Sequence, residues 1–110
     1  SVHDHDLPNH YYMVNSNTRQ ATILAQRYAH ELGVPVYLWD DFGGTGIEYY
    51  LAAYRVPYKK FGRRMNLDSS VVLIANNKKS VEAELENNHI LYKKLLSDEL
   101  QYNLYLLGKQ

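Results

Sequence analysis

Cysteine is absent from the chain, and its absence excludes a disulfide framework and any thiolate metal site. No apolar run approaches the roughly 18 residues that a membrane-spanning helix needs, and the amino terminus has no signal-peptide core. Proteins of the reducing cytosol commonly lack disulfides. We therefore expect a soluble, cytoplasmic protein that does not contact a membrane.

The chain also lacks an excess of charge of either sign, because 12 basic residues balance 12 acidic ones. A strong global field for nucleic acid or for an anionic membrane is therefore excluded. A length of 110 residues, of which 45% are hydrophobic, indicates one folded domain. We expect residues 1–9 to form a flexible tail and residues 10–110 to form that domain. The tail contains histidine and aspartate, but a flexible segment is a poor preorganised metal site, so we predict none.

Tyrosine, in contrast, is abundant, with 11 residues. Its ring is apolar and its hydroxyl is polar, so it suits half-exposed surfaces and interfaces. Two interpretations are open at this point. The tyrosines rim a small core, or they contribute to a surface that binds a protein partner.

Apolar periodicity predicts a strand, a helix and a second strand near the start of the chain. Residues 10–15 contain a short run that is apolar on both faces, as in a strand that is covered on both sides. Ser16 or Asn17 then caps the start of a helix, and Gly33 is expected as the left-handed residue that ends it. The stripe that it should bury consists of Ala21, Leu24, Ala25, Tyr28 and Leu32. Residues 34–39 form the second strand, and this unit implies parallel pairing.

Further along the chain, the pattern predicts a helix over residues 47–54, a loop over 55–64 and a central strand over 70–75. Ser80 is expected to cap a third helix, and the chain from there to Leu107 is predicted to form two or three helical pieces. The predicted fold class is α/β. We expect a small three-layer Rossmann-like domain, in which a short parallel sheet of about three strands is flanked by helices and the carboxyl terminus is helical.

A glycine-rich segment joins the second strand to the second helix. Thr45 and Glu48 have the spacing of a capping box and place the start of that helix. The backbone of such a turn can bind phosphate, and Asp40 can accept ribose hydroxyls or act with Asp41 as a general base or a metal-ligand pair. Its glycines match neither the dinucleotide-binding fingerprint nor a Walker loop. The structural interpretation therefore stays open, with the glycines making a tight turn and the carboxylates bonding local backbone.

Three predicted strand-to-helix junctions, residues 15–19, 40–46 and 76–80, meet at the carboxyl ends of the predicted strands. Ligands of open α/β sheets bind at that edge. The candidate catalytic residues are Asp40 and Asp41, and the sequence does not identify a cofactor. The candidate ligand-binding residues are Asn15, Ser16, Asn17, Arg19, Asp40, Asp41, Gly43, Gly44, Thr45, Gly46 and Lys78.

A second candidate site is the basic segment over residues 55–64. Its cations are interleaved with Tyr58 and Phe61, a pattern that can contact a phosphate backbone and stack bases. The cations are Arg55, Lys59, Lys60, Arg63 and Arg64.

These features give three hypotheses about function. The first is an interaction protein, such as an adaptor, an inhibitor or an immunity-type protein, that binds a protein partner through tyrosine- and leucine-rich surfaces, with a homodimer as a further expectation. The second is a nucleotide- or phosphate-binding domain or enzyme with its site at the carboxyl edge of the sheet. The third is a nucleic-acid binder. It ranks last because the chain has one basic cluster but no net positive charge. Whether the chain is an enzyme stays open, because no catalytic constellation is complete.

Overall fold

Five strands form one mixed sheet in the part of the chain that the structure describes. The computed structural model describes residues 9–40, 46–61, 67–97 and 102–108, with side chains from Asn17 onward. The strands are β1 (Val36–Trp39), β2 (Tyr58–Lys60), β3 (Val71–Ala75), β4 (Leu91–Leu96) and β5 (Asn103–Gly108). Their order across the sheet is β2-β1-β3-β5-β4. β1 pairs in parallel with β2 and β3, whereas β5 runs antiparallel to both β3 and β4.

Helices cover both faces of the sheet. The helices of the described chain are α1 (Asn9–Leu32), α2 (Ile47–Ala53) and α3 (Lys78–Asn87). α1 and α2 share one hydrophobic cluster with inward side chains of β1, β3 and β5, and α3 belongs to a second cluster on the opposite face. All five side chains of β3 are buried, as expected for a strand covered on both faces. The mixed α/β class and the central position of the predicted third strand are confirmed. None of these helices combines the length and the apolar character needed to cross a membrane.

The apolar stripe of α1 packs against the sheet largely as its period predicts. Ala21 and Ala25 are completely buried, and Leu24 and Tyr28 pack against the same cluster. The stripe stops one turn early, because Leu32 is 50% exposed. After this residue Gly33 adopts a left-handed conformation (φ 67°), and the Val34 amide donates to the Ala29 carbonyl at 3.0 Å, which closes the helix with a Schellman-type bond.

The predicted first strand, residues 10–15, is wrong, because α1 runs through it without interruption from Asn9. Periodicity does not separate a short apolar run in a strand from one in a helix. Extending an existing helix also requires no new nucleation, so a run that adjoins a stable helix can simply lengthen it. The strand, helix and strand unit predicted over residues 10–39 therefore does not form. The parallel unit of this fold is instead β1, α2 and β2.

The predicted helical carboxyl terminus is also wrong, because this region forms the antiparallel pair of β4 and β5. β5 lies between β3 and β4, and Leu104, Tyr105 and Leu107 are completely buried there. A strand buried on both faces has a continuous apolar run and no alternation, so its sequence resembles that of a buried helix. The predicted parallel sheet of about three strands is thus extended by the chain itself to a mixed sheet of five.

The third helix begins earlier than its predicted cap. Asn77, with φ 53°, is the N-cap of α3, and the helix starts at Lys78. Ser80 therefore lies within the first turn and is not the cap. On this face the Tyr105 hydroxyl donates to Glu82 at 2.8 Å, and Lys94 lies 3.4 Å from the same carboxylate, so polar contacts join α3 to β5 and β4.

Two shorter segments also differ from the sequence predictions. α2 begins at Ile47 with Gly46 as its N-cap (φ 88°), and no side chain caps it by a hydrogen bond. Thr45, the predicted cap, lies outside the described residues. Glu48 instead accepts a hydrogen bond of 2.5 Å from the Tyr58 hydroxyl. Within the predicted loop, residues 58–60 form the edge strand β2.

Candidate functional site

Three polar side chains lie one residue beyond the ends of three neighbouring strands. Asp40 follows β1 and Asn76 follows β3. Tyr102 precedes β5, whose amino end lies at the same edge because β5 is antiparallel to β3. The pairing register of β1, β3 and β5 places these three positions side by side across the sheet.

Asp40 is the residue on which the other two converge. The side-chain amide of Asn76 donates to Oδ1 of Asp40 at 2.6 Å, and the hydroxyl of Tyr102 donates to Oδ2 at 3.2 Å. Asn76 and Tyr102 are 5% and 1% exposed, whereas Asp40 is partly exposed. The carboxylate is therefore oriented by two donors that are fixed in the core, while Asp40 itself remains in contact with solvent.

The hydroxyl of Tyr102 acts as a donor at this site. Burial raises the pKa of Tyr102 well above its usual range, and the negative charge of Asp40 and the hydrogen bond to it act in the same direction. The phenol therefore stays protonated across the physiological range. Because the proton is retained, Tyr102 is a hydrogen-bond donor to the Asp40 carboxylate and is not itself a base.

Asn17 connects helix α1 to this edge of the sheet. Its side-chain oxygen Oδ1 accepts a hydrogen bond from the backbone N–H of Tyr102 at 2.8 Å, and the residue is only 7% exposed. An amide oxygen in this position satisfies a backbone donor just before β5 begins, where the sheet ladder does not yet supply a partner. Asn17 therefore fixes the segment that carries the Tyr102 ring.

The site lies at the point where two neighbouring parallel strands send their connections to opposite faces. From β1 the chain passes to α2, which packs on the same face as α1. From β3 it passes to α3 on the other face. In open α/β sheets this divergence leaves a crevice outside the carboxyl ends of the strands, and ligands bind there. Asp40 and Asn76 directly follow the two strands whose connections diverge in this way.

The sequence-predicted ligand residues have different positions in the structure. Asn15 and Ser16 lie within α1, where the structure does not describe their side chains, while Arg19 is exposed on the same helix. Asn17 joins the site through Tyr102 and not through a strand-to-helix junction, so the predicted junction over residues 15–19 is wrong.

The junctions after β1 and β3 are only partly described. Lys78 opens α3 at the same edge, and its ammonium group lies 3.3 Å from the Ser97 hydroxyl. Gly46 is the N-cap of α2. The remaining predicted residues lie outside the described part of the chain; they are Asp41, Gly43, Gly44 and Thr45.

The sequence pattern predicts a helix around Tyr102 and does not indicate that this residue belongs to the site. A tyrosine that directly precedes a short apolar strand is a weak signal, and its contact with Asp40 spans 62 positions of sequence. Asn76 was recognised only as part of a polar junction. The signal that could have singled it out is its place immediately after the strongest β-forming run, over residues 71–75.

The basic segment is only partly described. Arg55, Lys59 and Lys60 are exposed, and Lys60 also lies 3.7 Å from Glu48. One face of the Phe61 ring stacks on Trp39 at 5.4 Å, so that face is not available to a base. Arg63 and Arg64 lie outside the described residues, and the nucleic-acid hypothesis stays a prediction.

Within the described ranges, no three histidine, aspartate or glutamate residues are grouped so as to hold a metal ion. Comparisons of the chain with protein-family models, with curated proteins and with solved structures found no match. The functional argument therefore depends on the geometry of this chain alone.

Proposed function

We propose that the chain binds a small polar ligand in the crevice between the carboxyl ends of β1 and β3, with Asp40 as the principal hydrogen-bond acceptor. The observation that supports this most directly is the orientation of the Asp40 carboxylate by Asn76 and Tyr102. A Rossmann-like interpretation of the fold leads to the same place, because ligands of such folds bind where the strand connections diverge.

The acceptor defines the class of ligand. Each oxygen of a carboxylate can accept more than one hydrogen bond, so the contacts to Asn76 and Tyr102 are compatible with further donors from a ligand. Two neighbouring hydroxyl groups of a sugar can each donate a hydrogen bond to one oxygen of a carboxylate. In dinucleotide-binding folds an acidic residue commonly accepts a hydrogen bond from ribose in this way. Lys78, in the first turn of α3 at the same edge, supplies a cation for an anionic group. We therefore propose a nucleoside or nucleotide as the ligand.

Binding of a panel of nucleosides, nucleotides and free sugars tests this proposal, with saturation-transfer NMR to find ligands and calorimetry to measure affinity. Asp40→Asn keeps the size of the side chain and removes its charge. We expect it to weaken binding by about tenfold to a hundredfold, the effect of losing a hydrogen bond to a charged group. Asp68→Asn, the same change at an exposed aspartate, is the matched control and should leave binding unchanged.

Two results would contradict the proposal. The first is the absence of any bound compound in the panel at millimolar concentration. The second is equal affinity for a ribonucleoside and its dideoxy analogue, because the analogue lacks the hydroxyls that Asp40 is proposed to accept. Thermal unfolding of Asp40→Asn shows whether lost binding has a structural cause, since the variant must remain folded, with a cooperative transition above the temperature of the binding measurement.

A protein partner bound through tyrosine-rich surface is the second candidate function. The observation that favours it is Tyr49, which is 71% exposed on α2 and has its ring 5.5 Å from that of Tyr50. Exposed aromatic side chains are enriched at interfaces. Tyr49→Ala should weaken a complex reconstituted from purified components, whereas Leu91→Ala, at an exposed apolar residue of β4, should not. Equal loss in both variants would speak against a specific α2 surface.

The homodimer and the nucleic-acid interface also stay proposals. Sedimentation of the wild-type chain at high micromolar concentration tests the first, and a single species of monomer mass would remove it. The salt dependence of binding to an oligonucleotide tests the second, because each phosphate contact releases counterions.

A further inference from the structure

An apolar groove lies at the opposite end of the sheet from Asp40. Its volume is about 480 Å³, and its walls come from the second half of α1, the start of β1 and the segment that enters β2. Val34, Val36, Val56 and Pro57 are among the apolar side chains that line it. A groove of this size accommodates one or two apolar side chains of a ligand, as expected for a docking site between elements.

The edge strand β2 runs along this groove. Tyr58 and Lys59 line the groove, and β2 is the last strand of the sheet on this side among the described residues. The Phe61 amide donates inward to the Leu38 carbonyl at 2.8 Å. Backbone groups alternate in direction along a strand. The backbone N–H and C=O of Lys59 therefore also point towards β1, whereas those of Tyr58 and Lys60 point away from the sheet. Two residues of β2 therefore present backbone donors and acceptors to a further strand.

The charge around the groove is positive. Its lining includes Lys59 and no carboxylate. Arg55 is exposed just before the segment that enters β2. Glu48, the carboxylate that contacts β2, accepts a hydrogen bond from Tyr58 and pairs with Lys60. Lysine on an edge strand also discourages unselective strand pairing. Lys59 therefore favours a partner strand that carries negative charge.

We propose that this edge docks an extended acidic segment of a partner protein, which adds a strand to β2, inserts an apolar side chain into the groove and places carboxylates against Lys59 and Arg55. Backbone hydrogen bonds to Tyr58 and Lys60 supply affinity, and the alternation of apolar and acidic side chains supplies specificity. This surface lies at the amino ends of β1 and β2, so it is distinct from the crevice of Asp40.

Selection from a displayed library of random short peptides tests the proposal on the intact chain. We expect the enriched peptides to combine aspartate or glutamate with one or more large apolar residues. A peptide from the selection should shift the backbone amide resonances of Tyr58 and Lys60 and should slow their hydrogen exchange. The same peptide with N-methyl groups at alternate backbone positions should lose binding by about tenfold or more, because strand pairing is then blocked on one edge.

Charge reversal separates the proposed contacts from unselective attraction. Lys59→Glu should lower peptide affinity by about tenfold. Lys93→Glu, the same change on the opposite edge strand β4, is the matched control and should have no effect. Both lysines are exposed, so neither variant is expected to prevent folding.

Several outcomes would overturn the proposal. One is that the selection enriches basic peptides or enriches no peptide. Another is that Lys59→Glu and the wild type bind the peptide with equal affinity. A third is that the peptide shifts amide resonances outside β2 only. Protection of Tyr58 and Lys60 that rises with protein concentration in the absence of peptide would assign the edge to a second copy of the chain. If a single-stranded oligonucleotide displaces the peptide and itself shifts the amide resonance of Lys59, the edge would be assigned to nucleic-acid binding.

Discussion

The side-chain amide of Asn76 donates a hydrogen bond of 2.6 Å to Oδ1 of Asp40, and this bond joins the ends of two neighbouring parallel strands. Beyond these residues the chain leaves β1 and β3 towards opposite faces of the sheet. The bond therefore lies at the last position where the two strands are still side by side. The bond joins β1 to β3 beyond their last paired residues, and it orients the carboxylate that is proposed to bind a ligand.

Loss of this contact should cost stability. We expect Asn76→Ala to lower the free energy of unfolding by about 1–3 kcal/mol, because it removes a donor to a charged acceptor. Urea unfolding of Asn76→Ala, Asp40→Ala and the double variant gives the coupling between the two side chains. A coupling energy of at least about 0.5 kcal/mol is expected for residues in direct contact. Additive effects of the two changes would show that the bond contributes nothing to stability.

Several tyrosines should make the protein sensitive to high pH. The hydrogen bond from Tyr92 to Glu86 raises the pKa of Tyr92 to about 12, with burial and the charge of Glu82 adding to the effect. Burial first, and then Asp40 or Glu82, raises the pKa of Tyr102 and of Tyr105 still further. A free tyrosine in the unfolded chain titrates near pH ~10. Above that pH the unfolded chain releases protons that the folded chain keeps.

The sign follows from this difference. The stabilising contribution of these tyrosines is fully present below pH ~10 and falls as the pH rises towards 12 and beyond, because the unfolded state then binds fewer protons. Urea unfolding at a series of pH values above 9 should show this decrease, and Tyr92→Phe should make it less steep. Tyr49→Phe, at the exposed tyrosine of α2, is the control and should leave the slope unchanged. An identical slope in Tyr92→Phe and the wild type would contradict the assignment.

Two leucines of the carboxyl-terminal strands should differ sharply in their contribution to stability. Leu104 is completely buried in β5, so Leu104→Ala should cost about 2–5 kcal/mol by lost burial and cavity formation. Leu91 is 61% exposed on β4, so Leu91→Ala should change stability by less than about 0.5 kcal/mol. Calorimetric or urea unfolding measures both. Similar losses in the two variants would mean that β5 does not lie inside the sheet.

Local signals predicted the elements whose burial has a clear period or whose ends have a clear marker. The stripe of α1 has a regular helical period, and Gly33 marks its end in a left-handed conformation. The strand over residues 71–75 consists of β-branched and apolar residues between polar segments, which identifies a buried strand. In both cases the local sequence and the final packing agree.

The prediction failed where packing on two faces removes the period. β5 is apolar on both sides because it lies between β3 and β4 under two helical layers, so its sequence carries no alternation. The same ambiguity affected residues 10–15, which are part of α1. The position of Asp40 at the carboxyl end of a strand agrees with the sequence prediction, because the apolar residues just before it predict a strand clearly. Tyr102 could not be placed with it, since their contact depends on the position of β5 in the sheet.

Asn17 should couple the stability of α1 to that of the sheet edge. Its Oδ1 atom accepts the backbone N–H of Tyr102 at 2.8 Å, across 85 positions of sequence. Asn17→Ala leaves a backbone donor in a buried place without this acceptor, which should cost about 1–3 kcal/mol. Arg19→Ala, at an exposed position of the same helix, should stay within about 0.5 kcal/mol of the wild type.

Hydrogen exchange separates this contact from a general loss of helix stability. If Asn17 protects the Tyr102 amide directly, exchange of that amide should accelerate more in Asn17→Ala than exchange of the core amides of β3, whose ladder bonds are unchanged. Uniform acceleration of every amide would show that the variant lowers only the global free energy of unfolding. Unchanged exchange at Tyr102 would show that Asn17 is not its partner, and the link between α1 and the Asp40 site would then have to be abandoned.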